Sequence, residues 1–281
     1  MTLRDFLRKL FGLPDPVPPP PKPLPEVERD VAYGPDPLQK VDIFRPPGLM
    51  EGETAITDVM VHGGGWQNDK GDKANAGVVD NKRPYSLAQG HIFISANYPL
   101  WPQVSPLDEQ ASIAQLLAWV QKLPGVDPKR VRLWGHSAGG NLVAQVGASV
   151  ALQAQYGCLP PEKIVCLDSV YDIPKGKAAA VKSRNQQAIA VYDPWGTDEA
   201  MQRAGSPTYT VSAPMPPCFL AYSTQEGPGR KQQADGFAAA IVKNGGPQPV
   251  VNGYDYSHGE MDSMVGLDNQ MTRDIDKFLS A

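Results

Sequence analysis

The stretch "RVRLWGHSAGGNLVAQVGASVAL", residues 130–152, restricts the fold more than any other part of the chain. It reads as an apolar strand, a turn with no room for bulk, and a helix, in immediate succession. Gly135-His136-Ser137-Ala138-Gly139 fits the pattern Gly-x-Ser-x-Gly, in which the glycines allow a turn too sharp for side chains beside the serine. Such a turn lifts the Ser137 hydroxyl to the edge of a sheet, above a helix N-terminus whose field favours developing negative charge. A glycine turn that only packs helix on strand is the plain structural alternative. The surrounding pattern decides between them.

That pattern alternates strands with helices. "QKVDIFRPP", "ITDVMVHGGGW", "HIFISANYPL", "KIVCLDSVYDI", "CFLAYST" and "QPVVNGY" read as strands, most of them as apolar runs rather than clean period-2 alternations. "KRPYSLAQG", "SPLDEQASIAQLLAWVQKLPGVDP", "QADGFAAAIVKNGG" and "QMTRDIDKFLSA" read as helices. Buried-type strands separated by helices predict an α/β class with a mostly parallel central sheet and helices on both faces. Residues 173–213 are polar and irregular, and are the candidate for a small cap over one end of the sheet. Residues 30–281 are expected to form one domain.

The chemistry gathers at strand ends. "HGGGW", residues 62–66, closes one strand, and its glycines leave backbone N–H groups free to face an anionic oxygen. Gly64 and Gly65, with the N–H of Ala138, would form a three-donor oxyanion hole. An activated serine needs a histidine within hydrogen-bond reach, and where the serine sits on a Gly-x-Ser-x-Gly turn the chain order is serine, acid, histidine. Of His62, His91, His136 and His258, only His258 follows Ser137, and it lies in the polar loop after the last strand. The acid should follow the preceding strand, "CFLAYST", where Glu226 is the first carboxylate. Its role would be to hold the neutral tautomer of His258. Asp168 and Asp172 flank the end of the strand before that and are the alternatives. Trp66, Tyr98 and Trp101 follow strand ends, as pocket lining or as core.

The totals exclude several classes. A net charge of −4 leaves no basic surplus for nucleic acid, and no stretch approaches the roughly 20 apolar residues of a membrane span. Cys158, Cys166 and Cys218 are too few and scattered for a disulfide framework or a zinc site. Serine chemistry of the kind outlined requires no metal or organic cofactor, and none is expected. The expected compartment is the cytoplasm. At the N-terminus, Leu3, Phe6, Leu7, Leu10 and Phe11 fall at helical spacing opposite Arg4, Arg8 and Lys9. This amphipathic segment, residues 3–11, is a candidate for docking on its own domain, on a partner chain or on a membrane surface, with a frayed end as the plain alternative. Eight prolines between residues 14 and 25 then predict an extended spacer, so residues 1–29 are set apart from the domain.

Together "GHSAGG", "HGGGW" and the late "SHGEM" resemble the α/β-hydrolase fold over nearly everything from residue 30 onward. With "AYGPDPLQKVDIFRPP" and "FISANYPLWP", the chain looks like the small carboxylesterases related to arylformamidase (kynurenine formamidase). The resemblance implies a serine esterase acting on a small-molecule ester through Ser137, His258 and an acid. It departs from the pattern in offering Glu226 and "GPGR" where family members generally carry aspartate. A formamidase acting on an N-formyl aromatic amide is the alternative activity. A non-catalytic binding module with a degenerate triad is the alternative of another class.

Overall fold

In the strands, neighbouring side chains divide between two apolar layers, and this division builds the molecule. Val59, Val61, Leu133, Ile164, Cys166 and Leu220 enter one buried cluster, while Met60, Trp134, Val165, Leu167 and Phe219 enter the other. A strand buried on both faces reads as a continuous apolar run, and that is how these segments appear in the sequence. The computed structural model describes residues 21–67, 71–212 and 215–281. The amphipathic segment 3–11 and prolines 14–20 lie outside the described residues.

Eight strands are present among the described residues: β1 (Val27–Ala32), β2 (Lys40–Phe44), β3 (Ala55–Val61), β4 (Ile92–Ala96), β5 (Val126–His136), β6 (Ile164–Leu167), β7 (Cys218–Ser223) and β8 (Val250–Tyr254). They form one sheet in the order β1-β2-β4-β3-β5-β6-β7-β8. β1 and β2 are antiparallel to their neighbours, and every pairing from β4 through β3 to β8 is parallel. β1 begins at Val27, so residues 27–29, assigned by sequence to the spacer, belong to the sheet. Leu24 N–H donates to Leu49 O at 2.8 Å and extends the attachment further back.

The helices follow the strands: α1 (Ala76–Val79), α2 (Lys82–Ala88), α3 (Pro106–Val120), α4 (Ala138–Ala148), α5 (Val150–Tyr156), α6 (Ile173–Ser183), α7 (Gln186–Ala190), α8 (Glu199–Ala204), α9 (Pro207–Thr210), α10 (Pro228–Lys243), α11 (Glu260–Ser263) and α12 (Gln270–Ser280). α3 starts where its sequence says it should. Ser105 accepts from Asp108 N–H, Asp108 accepts from Ser105 N–H, and Pro106 stands at the first position. Ile113, Leu116 and Leu117 of α3 pack beside Leu142 and Val143 of α4 in the larger cluster, whereas Met271, Ile275 and Leu279 of α12 cover the opposite face. Among the described residues no helix is long and apolar enough to cross a membrane.

Residues 173–212 do form a cap, built from α6 to α9 and a short 3-10 turn at Asp193–Trp195. Trp195 is its anchor: the indole is fully buried and meets Trp66 edge-on, with ring centroids 5.3 Å apart. Gln67 Nε2 donates to Ala190 O at 2.8 Å, tying the cap to the segment after β3. The cap therefore lies over the C-terminal end of β3, the edge of the sheet where Ser137 also emerges.

Candidate active site

The loops after β3, β5, β6 and β8 meet at the carboxyl edge of the sheet, the crevice where open α/β sheets receive ligands. Ser137 occupies the turn between β5 and α4 with φ 54° and ψ −120°. A non-glycine residue there stores about 1–3 kcal/mol of strain, which the surrounding packing has to hold. Gly139 explains how it is held. A Cβ at that position would come within 2.2 Å of Val61 O and 2.5 Å of His62 O, so only glycine lets α4 press against the end of β3.

His258, in the loop between β8 and α11, brings Nε2 to 2.9 Å from Ser137 Oγ. Its Nδ1 lies 2.5 Å from Asp168 Oδ2. The carboxylate on the imidazole is therefore Asp168, the first residue after β6. Asp168 also has positive φ, 48°, and its side chain is fully buried. Ser223 N–H, at the end of β7, donates to its other oxygen at 2.8 Å. Burial alone would push the Asp168 carboxyl up. The His258 hydrogen bond, the Arg230 charge and the Ser223 N–H outweigh it and hold the carboxyl below its ordinary value.

Glu226 is displaced from the role the sequence assigned to it. After β7 the chain folds back so that Gln225 N–H and Glu226 N–H both lie 3.2 Å from Ser223 Oγ. That turn sends the Glu226 carboxylate outward to Arg230 Nη2, 4.0 Å away, with 39% of the side chain exposed. It makes no hydrogen bond to His258. Asp172, the other alternative, caps α6: it accepts from Lys175 N–H at 3.0 Å and from Tyr209 OH at 2.8 Å.

The loop after β3 abuts the serine. A Cβ on Gly63 would fall 2.9 Å from Ser137 Cβ, and Gly64 and Gly65 have φ of 126° and 63°. Among the described residues the N–H groups of Gly64, Gly65 and Ala138 donate to no protein acceptor. Trp66 and Tyr98 are core side chains rather than pocket lining, at 1% and 0% exposure. Tyr98 stacks on His62 and donates its hydroxyl to His62 O at 2.9 Å, so it braces the glycine loop from behind. Trp101 does the same through its backbone, donating to Trp66 O at 3.2 Å.

Two residues on the imidazole went unassigned in the sequence reading. His136 Nε2 donates to His258 O at 2.8 Å, and the two rings lie 4.5 Å apart. Burial pushes His136 down to about 4, so it is a neutral brace. Arg230, in the first turn of α10, approaches both Asp168 and His258. For His136, its place inside the "GHSAGG" turn was a usable signal. For Arg230 the odd "GPGR" was visible, but its partners were not.

A fold of this kind with a serine, a histidine and a buried carboxylate at its carboxyl edge is an α/β-hydrolase. Residues 41–241 match the BD-FAE family, and the chain belongs to it. It is 24% identical to Esterase LipQ of Mycobacterium tuberculosis over 229 residues, 75% of this chain and 52% of the relative. The chain thus spans about half the length of that curated relative. The structure of esterase B from Lactobacillus rhamnosis is similar with a TM-score of 0.65 and 20% identity, covering 99% of this chain and 93% of that one. A thermophilic esterase from the Planctomycetes species Thermogutta terrifontis is similar with a TM-score of 0.68 and 21% identity, over 91% and 92% of the two chains.

Proposed function

We propose that this chain is a serine esterase that cleaves small carboxylic esters through an acyl-enzyme, using Ser137, His258 and Asp168. The observation that carries the reading is the continuous contact from Ser137 Oγ through the imidazole to a buried carboxylate. His258 Nε2 takes the Ser137 proton as Oγ bonds to the ester carbonyl carbon. The carbonyl electrons move onto oxygen, which the N–H groups of Gly64, Gly65 and Ala138 receive. Asp168 keeps the Nδ1 proton in place and stabilises the imidazolium without taking a proton itself. Collapse of the intermediate breaks the bond to the alcohol, which leaves with the proton from His258. Water then repeats the sequence on the acyl-enzyme and releases the acid.

The esterase names of the curated relative and of the structural neighbours support an ester substrate. The test compares wild type with Ser137→Ala on p-nitrophenyl esters of increasing acyl length and on N-formylkynurenine, beside fluorophosphonate labelling of the folded protein. Ester turnover and labelling, both lost in Ser137→Ala, are the expected result. A preference of a hundredfold or more for the formamide would replace esterase by amidase. An unlabelled Ser137 in folded protein would leave a binding module.

A further inference from the structure

Arg230 stands where a cation is ordinarily disfavoured. It occupies the first turn of α10, next to the positive end of the helix dipole, and that turn contains no acidic residue. Its position is explained by what it touches. Nε lies 3.4 Å from Asp168 Oδ2, Nη1 donates to Asp168 O at 3.3 Å, and Nη2 lies 3.4 Å from His258 Nδ1. Gly227, with φ 80°, and Pro228 at the first helical position turn the chain so that Arg230 points back to the end of β6. One guanidinium thus grips both the backbone and the side chain of Asp168, a residue held at positive φ.

Resting on the reading of Ser137, His258 and Asp168 as the triad, we propose that Arg230 is a positioning residue for it. Arg230 clamps Asp168 against the imidazole and keeps a fixed positive charge beside His258, thereby setting the pH below which the base is lost. With the Nδ1 proton directed to Asp168, the Arg230 guanidinium meets the ring as a neighbouring charge. It opposes the imidazolium that Asp168 favours. It also shares Oδ2 with Nδ1–H, which weakens the pull of the carboxylate on the ring. Both effects act on the imidazolium that forms when His258 takes the Ser137 proton.

The other groups around the imidazole do not replace that charge. His136, at the end of β5, is held neutral by burial. Behind it Asp262 of α11, 3.8 Å from His136 Nδ1, has its own cation in Lys82, 2.6 Å away. Farther off, Tyr192 of the cap, on the Arg230 side, and Tyr171, on the Asp168 side, have buried hydroxyls pushed up, the first to about 12, and carry no charge. Glu260, two residues after His258, is held by Ser257 N–H and Oγ at 2.8 and 2.7 Å, and Glu226 lies 4.0 Å from Arg230 Nη2. The residue predicted as the acid thus acts on the triad at one remove, by tempering Arg230.

The experiment is the pH dependence of kcat/KM on p-nitrophenyl acetate at constant ionic strength, for wild type, Arg230→Met, Arg230→Lys and Glu226→Gln. For two unit charges about 4 Å apart in a partly exposed site, Arg230→Met should move the acid limb up by about one pH unit. That shift is close to a tenfold loss on the limb relative to the plateau. Arg230→Lys keeps the charge and should hold the limb near its wild-type position, with a lower plateau from the lost fork. Glu226→Gln, an exposed change, should move the limb slightly down. Coincident limbs for wild type and Arg230→Met, an equal shift in Arg230→Lys, or an upward shift in Glu226→Gln would each overturn the proposal. Activity in Ser137→Ala within about tenfold of wild type would instead overturn the reading of the site.

Discussion

The loops after β6 and β7 each offer a carboxylate within a few residues of a strand end, and they differ in what their backbones do next. Asp168 follows β6 directly at positive φ and points into the protein, where a backbone N–H, an imidazole and a guanidinium receive it. Glu226 follows β7 by three residues, on a turn wrapped around Ser223 Oγ, and points to solvent. Because β6, β7 and β8 are adjacent, an acid from either loop can reach a histidine after β8. The backbone turn at each strand end decides which one does. Ser223, at the end of β7, itself donates its N–H to Asp168.

Ser137→Ala should cost about 10⁴-fold or more in kcat/KM, and its residual rate sets the floor for the comparison of the two loops. Asp168→Asn should lower kcat by about 10³–10⁴-fold, since an amide favours the wrong tautomer of the base. Glu226→Gln should leave the plateau rate within about threefold. Adding Glu226→Gln to Asp168→Asn should do no further harm. If the double variant instead falls well below Asp168→Asn, Glu226 substitutes for the missing acid, and the contrast between the loops is weaker than the contacts imply.

Gly139→Ala tests the packing beneath the serine. With a Cβ 2.2 Å from a backbone oxygen, stability should fall by about 3 kcal/mol, read as a lowered urea midpoint. His136 tests the other face of the imidazole. Burial keeps it neutral down to about 4, while in the unfolded chain it protonates below about 6.5. The stability gained by its neutrality is therefore complete above pH 6.5 and lost as pH falls toward 4, by up to about 3 kcal/mol. His136→Gln should flatten that part of the urea-stability profile. His62, also held neutral by burial, leaves a residual slope of the same sign. The smallest effect belongs to the third carboxylate. Asp172→Ala should cost about 1 kcal/mol as a lost helix cap and leave kcat unchanged.

Much of this site is legible in the sequence because it depends on local chemistry. A turn as tight as that around Ser137 needs its glycines, so "GHSAGG" declares itself, and the open donors need "HGGGW". Chain order and the count of histidines leave only His258 for the base. The parallel sheet follows from apolar runs broken by helices, and the cap from the one long irregular segment. Trp66 and Tyr98 were ambiguous because a buried aromatic and a pocket aromatic look alike in one dimension.

What the sequence determined by itself was the fold class and, for the proposed site, the places of Ser137, His258 and the glycines of "HGGGW", each tied to a strand end by short-range steric rules. Tertiary structure alone decided which carboxylate meets the imidazole and which cation stands beside it. Asp168, Ser223, Arg230 and His258 come from four separate segments. Their meeting depends on strand order and on two backbone turns, and one of those turns puts a non-glycine residue at positive φ. Non-glycine residues seldom adopt that conformation, aspartate less seldom than most. It is held by the burial and hydrogen bonds that the assembled sheet supplies.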